Sequence, residues 1–225
     1  MTIRVLLADD QALLRQTFRI LIDSCPDMEV VGEAADGVEA AEQARAHRPD
    51  VVVMDIRMPG TDGLAATAAI CADPALAATR VLILTTFETE EHVAGALRAG
   101  ASGFLGKDVT ADALLAGIRT VATGDALLLP QATRALIARF LSAPQAGRQP
   151  GPGVLADLTA REREVMAHAA LGSSNDDIAR DLSVSPLTVR THIQRAMTKL
   201  HARDRAQLVV IAYQTGLVEP AGRSG

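Results

Sequence analysis

Ile3-Arg4-Val5-Leu6-Leu7-Ala8-Asp9-Asp10 decides the fold of this chain: an apolar run with the character of a buried strand stops abruptly on two carboxylates. Two later runs do the same. Val51-Val52-Val53-Met54 ends on Asp55, and Val81-Leu82-Ile83-Leu84 ends on Thr85. A fourth, Gly103-Phe104-Leu105, leads through Gly106 to Lys107. Short β-branched runs separated by helix-like stretches read as parallel strands covered on both faces. In open parallel sheets the ligand crevice lies outside the carboxyl ends of the strands. Asp9, Asp10, Asp55, Thr85 and Lys107 should therefore converge there. Three carboxylates, a hydroxyl and an ammonium suit a divalent cation and a phosphoryl group.

Working outward, a strand is expected at 29–34, and helices at 11–24, 36–47, 62–73, 89–99 and 110–123. Leu13, Leu14, Phe18, Leu21 and Ile22 form the apolar stripe of the first helix. Asp36 has the character of an N-cap for the second. Five β-α alternations predict a flavodoxin-like doubly wound (βα)5 domain over 1–124.

Residues 125–153 read as a linker. Residues 127–141 can form a helix, whereas 142–153 hold three prolines and three glycines in twelve residues and propagate neither helix nor strand. From 154 to 219 only helical patterns occur, predicting a smaller all-α, four-helix domain, with 220–225 a disordered tail. Thr159 and Glu162 have capping-box spacing ahead of a helix at 164–171. Ser174 or Asn175 caps 176–182, and Ser183-Val184 turns the chain. Ser185 then caps a helix that opens on Pro186, where the missing N–H costs nothing, and runs to about residue 200. A last helix, 205–215, ends at Gly216. Two helices joined by a tight turn form a helix-turn-helix.

Charge divides along the same line. Residues 1–150 carry 13 Lys+Arg against 19 Asp+Glu, whereas 154–219 carry 8 of each. Within the latter, residues 185–205 carry Arg190, Arg195, Lys199, Arg203 and Arg205 against only Asp204. Such asymmetry suits a regulated nucleic-acid binder. Cys25 and Cys71 form no CxxC, and no apolar run approaches the about 20 residues of a membrane span. A reduced cytoplasmic protein with no membrane association is expected.

The segment from Leu158-Thr159-Ala160-Arg161-Glu162 through Ser185-Pro186-Leu187-Thr188-Val189-Arg190-Thr191-His192 to Lys199-Leu200 resembles the LuxR-type DNA-binding domain. The first half resembles a response-regulator receiver domain. Its signature is Asp9-Asp10, Asp55 with Met58-Pro59-Gly60 after it, Thr85 30 residues on, and Lys107 a further 22. Together the chain resembles the NarL/FixJ class of two-component response regulators.

That resemblance implies roles. Asp55 would accept a phosphoryl group from a sensor histidine kinase, forming an aspartyl phosphate. Asp9, Asp10, Asp55 and the backbone carbonyl of Arg57 would hold Mg²⁺. Lys107 and Thr85 would engage the phosphoryl oxygens, with Phe104 the aromatic that follows Thr85. Thr86 competes for the hydroxyl role, but the 15 residues from Thr85 to Gly100 favour Thr85. Double-stranded operator DNA would be contacted by Arg190, Thr191 and Gln194 at base edges or phosphates, and by Thr188 and Lys199 on the backbone. Leu208, Val209, Ala212 and Tyr213, exposed along the last helix, would form the surface of an activated homodimer. The chain would not be a conventional enzyme.

Two other readings fit parts of the pattern. A phosphatase of the haloacid-dehalogenase type also uses a strand-end aspartate, but needs a second one two residues on, where Arg57 stands. A DNA-binding protein with a degenerate receiver would not need the complete five-residue set.

Overall fold

The computed structural model describes residues 2–86, 90–124 and 153–218, which fall into two compact units. The expected linker helix at 127–141, the Pro/Gly-rich stretch up to residue 152 and the tail 220–225 lie outside the described residues.

The first unit is a five-stranded parallel sheet in the order β2-β1-β3-β4-β5. Its strands are β1 (Ile3–Ala8), β2 (Met28–Ala34), β3 (Val51–Met54), β4 (Arg80–Thr85) and β5 (Gly103–Gly106). Helices α1 (Ala12–Asp23), α2 (Gly37–His47), α3 (Gly63–Ala72), α4 (Glu90–Ala99) and α5 (Ala111–Ala122) alternate with them, and Pro74–Leu76 adds one 3-10 turn. Each boundary falls within a residue or two of expectation because caps set it. Asp36 accepts from the amides of Val38 and Glu39, Asp62 from Ala65, and Thr110 from Ala113.

Both sheet faces are buried, which explains why the strands read as unbroken apolar runs. Val5, Leu7, Val51, Val53, Leu82, Leu84 and Leu105 form one core with Ile22 of α1 and Leu114, Ile118 and Val121 of α5. The alternate set, Leu6, Val52, Met54, Val81, Ile83 and Phe104, is equally excluded from solvent. This strand order reverses direction between β1 and β3, the point where such sheets open a crevice.

The second unit has four helices: α6 (Ala160–Ala170), α7 (Asn175–Asp181), α8 (Pro186–Leu200) and α9 (Arg205–Gln214). Helix α6 starts four residues before the expected position, directly after the reciprocal Thr159–Glu162 capping box. Ser174 and Asp177 form a second capping box on α7. The turn into α8 uses Ser183 at φ 53°, and Ser185 caps α8 through the Thr188 amide. Leu158, Val165, Met166, Ile178, Val189, Ile193 and Ala196 are buried between the helices.

Candidate functional site

Backbone hydrogen bonds that extend the ladder past the strand ends fix where the polar residues sit. The Asp55 amide donates to the carbonyl of Ala8 at 2.8 Å, and the Asp9 amide to Ala34 at 3.1 Å. The Lys107 amide donates to Thr85 at 2.9 Å. Four strands thus deliver their terminal residues to one edge in register. There the Lys107 Nζ lies 2.5 Å from a carboxylate oxygen of Asp9 and 2.8 Å from one of Asp55. Asp9 and Asp55 are each 5% exposed. Asp10 lies in solvent, and one oxygen from each of the three carboxylates falls within 4.8 Å of the others. An open cleft of about 480 Å³ beside Asp10, lined also by Arg57, Met58, Pro59 and His92, gives access from solvent.

Burial alone would pull the Lys107 ammonium down. The hydrogen bonds to Asp55 and Asp9, with their charges, outweigh it and hold the group above the usual lysine range. The ammonium is therefore a fixed cation, able to face anionic oxygens as a point charge. The carboxylate oxygens form a hard donor set that fits a small divalent cation.

Thr85 is buried at the end of β4, and Phe104, 3% exposed, lies one strand over. Ile83 pairs with Phe104 in the ladder, so by alternation Thr85 and Phe104 share a sheet face.

Three supporting features escaped the sequence reading. Gly63 donates its amide to Ile56 at 2.8 Å, and a Cβ there would stand 1.9 Å from the Asp55 carbonyl oxygen. Gly37 donates to Thr61 in the same loop at 3.0 Å. Arg15 reaches from α1 to the Asp9 carbonyl while its Nε meets Glu33 at 3.3 Å. In the sequence Asp62-Gly63 marks only the start of an expected helix; the close approach depends on tertiary packing.

In the second unit, Leu187, Arg190 and Gln194 are exposed along one side of α8, with Thr191 half-buried beside them, opposite the buried Val189, Ile193 and Ala196. The Thr191 hydroxyl donates to the Leu187 carbonyl at 2.9 Å, and the hydroxyls of Thr188 and Ser185 meet at 2.8 Å. Lys199, exposed on α8, also bonds within the domain: its Nζ is 2.7 Å from Glu162, itself 2% exposed. Arg205, counted in the basic stripe, donates to Asn175 and to the carbonyl of Ser173. Both cations tie helices together, and Arg190, Arg195 and Lys199 remain exposed on α8.

The expected dimer surface needs correction. Leu208 and Ala212 are 0% exposed and Val209 1%, and Tyr213 is half-buried with its hydroxyl donating to Ala170 at 3.0 Å. Helix α9 packs on α6, and the side chains of Leu208, Val209 and Ala212 are closed off from solvent. Among the described residues the large apolar side chains most open to solvent are Leu13, Ile20, Val38, Leu171 and Leu187.

The Glu162 pair has a pH signature. Burial would raise the Glu162 carboxyl, but the Lys199 ammonium and the Thr159 bonds hold it below the usual glutamate value of 4.5. A depressed carboxyl stabilises the fold fully above its unfolded pKa, and that stabilisation is lost as pH falls through the folded value. Thermal unfolding of the second unit is expected to lose stability below about pH 4.5. Glu162→Gln should lower neutral-pH stability by about 1–2 kcal/mol and flatten that acid limb, Lys199 being partly solvated. An unchanged limb in the variant would remove Glu162 from the account.

Comparison with known proteins covers both units. The family described as response regulator receiver domain matches residues 5–119, and that described as bacterial regulatory proteins, luxR family, matches 156–212. The chain is 43% identical over 218 residues to the uncharacterized transcriptional regulatory protein YxjL of Bacillus subtilis (strain 168), spanning 96% of this chain and 98% of that one. It is 36% identical over 217 residues to the oxygen regulatory protein NreC of Staphylococcus carnosus (strain TM300), spanning 96% and 99%. Among solved structures, the response regulator ChrA of a heme-sensing two-component system is 36% identical with a TM-score of 0.51 over 96% of this chain and 99% of that one. A LuxR-family response regulator from Aurantimonas sp. SI85-9A1 is 33% identical with a TM-score of 0.57 over 63% and 99%.

Proposed function

Because this chain belongs to the two-component response regulators that join a receiver domain to a LuxR-type DNA-binding domain, we propose that a sensor histidine kinase phosphorylates Asp55 and that the aspartyl phosphate promotes dimerisation and operator binding. The observation that carries this reading is the Lys107 ammonium held between two buried carboxylates, Asp9 and Asp55, at the carboxyl edge of the sheet. A buried carboxylate pair is costly unless a cation faces it. Here one does, with Asp10 beside it on the open side.

The chemistry follows from these groups. A carboxylate oxygen of Asp55 forms a bond to phosphorus while the phosphorus–nitrogen bond of the donor's phosphohistidine breaks. The bonding pair leaves with the imidazole, which takes up a proton. Phosphoryl transfer asks mostly for positioning and charge neutralisation. Lys107 supplies a fixed positive charge on one side of the incoming oxygens, and Thr85 a hydroxyl donor. Mg²⁺, held by Asp9, Asp10, Asp55 and the Arg57 carbonyl, would neutralise further charge and orient the donor. Replacement of the Asp55 charge by a dianionic phosphoryl redirects Lys107 and Thr85, and Phe104 shares a sheet face with Thr85.

In the second unit α8 enters the major groove, with Arg190, Thr191 and Gln194 at base edges or adjacent phosphates and Thr188 and Lys199 against the backbone. Domain limits of 1–124, 125–153 and 154–219, and a cytoplasmic location, go with it. The dimer is proposed without the α9 surface. The self-catalysed gain and loss of one phosphoryl group is the extent of its catalysis.

The acidic cluster has its own test. Mg²⁺ is expected to raise the melting temperature of the wild type and to do so much less for Asp10→Asn, read by circular dichroism. Equal shifts in both would exclude Asp10 as a ligand.

A further inference from the structure

We propose that Leu187, backed by Thr191, is a thymine reader: it recognises the 5-methyl group of a thymine in each operator half-site. The proposal rests on α8 entering the major groove as argued above.

A single exposed leucine ordinarily needs no explanation. This one is 73% exposed in the first turn of the helix that carries Arg190 and Gln194, three and seven residues before them on the same side. The helix has a complete apolar face elsewhere, in Val189, Ile193 and Ala196, so Leu187 contributes nothing to the core. The N-terminal part of a recognition helix is the part that meets base edges.

The hydroxyls around it narrow what that part can read. Thr191 donates its one hydroxyl proton to the Leu187 carbonyl, and Thr188 shares its hydroxyl with Ser185. The Thr191 proton is committed while that bond holds. Arg190 and Gln194 are the long hydrogen-bonding side chains on this face. Leu187, with the threonine side chain one turn on, offers aliphatic surface. In the major groove the base-pair feature that aliphatic surface distinguishes is the C5-methyl of thymine. Burial of one methyl-sized group is worth about fourfold in affinity.

The test uses the full-length protein, its duplex selected from a random library. Each selected thymine is replaced in turn by deoxyuracil, which keeps every hydrogen-bonding group and removes only the methyl. Wild-type affinity is expected to fall about three- to fivefold at one thymine per half-site and to hold elsewhere. Leu187→Ala should bind the thymine duplex that much more weakly and show no difference between thymine and uracil there. Because the side chain lies in solvent, the variant keeps its fold, checked by circular dichroism. Uracil tolerance at every position in the wild type, or an undiminished uracil effect in Leu187→Ala, overturns the proposal while leaving DNA binding intact. Failure to select any sequence overturns the DNA-binding reading itself.

Discussion

Asp55→Asn is expected to gain no phosphoryl group when incubated with a small phosphoryl donor and Mg²⁺, under conditions where the intact mass of the wild type rises by one. Asparagine has the shape of aspartate, so the packing at the end of β3 is retained, but its amide oxygen is a poor nucleophile. Lys107 keeps Asp9 as a partner at 2.5 Å. The fold should therefore survive the change, with circular dichroism unaltered. Asp9 is as buried as Asp55 and as close to Lys107, and it is the natural competitor for the acceptor role. Each carboxylate accepts a backbone amide two residues on, Asp9 from Gln11 at 2.9 Å and Asp55 from Arg57 at 3.4 Å, so the labelling itself decides between them. Persistent labelling of Asp55→Asn would move the acceptor to Asp9 or Asp10.

Gly63→Ala is expected to destabilise the first unit by about 3 kcal/mol or more, since the added methyl meets backbone that has no rotamer to yield. A Cβ at Gly63 would lie 1.9 Å from the Asp55 carbonyl oxygen, 2.9 Å from its carbonyl carbon and 3.0 Å from the Ile56 Cα. The atoms displaced belong to the acceptor residue itself, so phosphoryl uptake by whatever folded fraction remains should also fall. Gly60→Ala is the control. Gly60 has φ 73° and nothing within 4 Å of the added carbon, so its cost is only that of the left-handed backbone, about 1 kcal/mol. Urea unfolding of the two variants should separate them clearly. Equal midpoints would mean that the Asp55 loop moves freely, against the geometry described.

These two sites differ in how far the sequence discloses them. Asp55 is legible because β3 is buried on both faces, so its apolar run stops sharply where the chain leaves the sheet. The same holds for Asp9, Thr85 and Lys107, and caps such as Asp36, Thr110 and Ser185 mark helix ends by a local bond. Gly63 follows an equally good cap, and nothing local reveals the carbonyl that crowds it. The partners of Lys199 and Arg205, Glu162 and Asn175, lie more than two dozen residues away, so no local pattern reveals those bonds. Helix α9 misled for another reason. Ala206, Leu208, Val209, Val210 and Ala212 are buried nearly all round it, and a helix apolar on every side does not tell from its pattern which face meets its own domain.

The most direct test of the account is a comparison on one preparation before and after phosphorylation of Asp55, measuring sedimentation mass and affinity for a duplex selected by the phosphorylated protein. The expected result is a shift from monomer toward dimer and at least tenfold tighter binding, lost together when the aspartyl phosphate hydrolyses. Equal mass and equal affinity in both states, with the phosphoryl group verified on Asp55, would contradict it and leave a DNA-binding protein whose receiver does not control it.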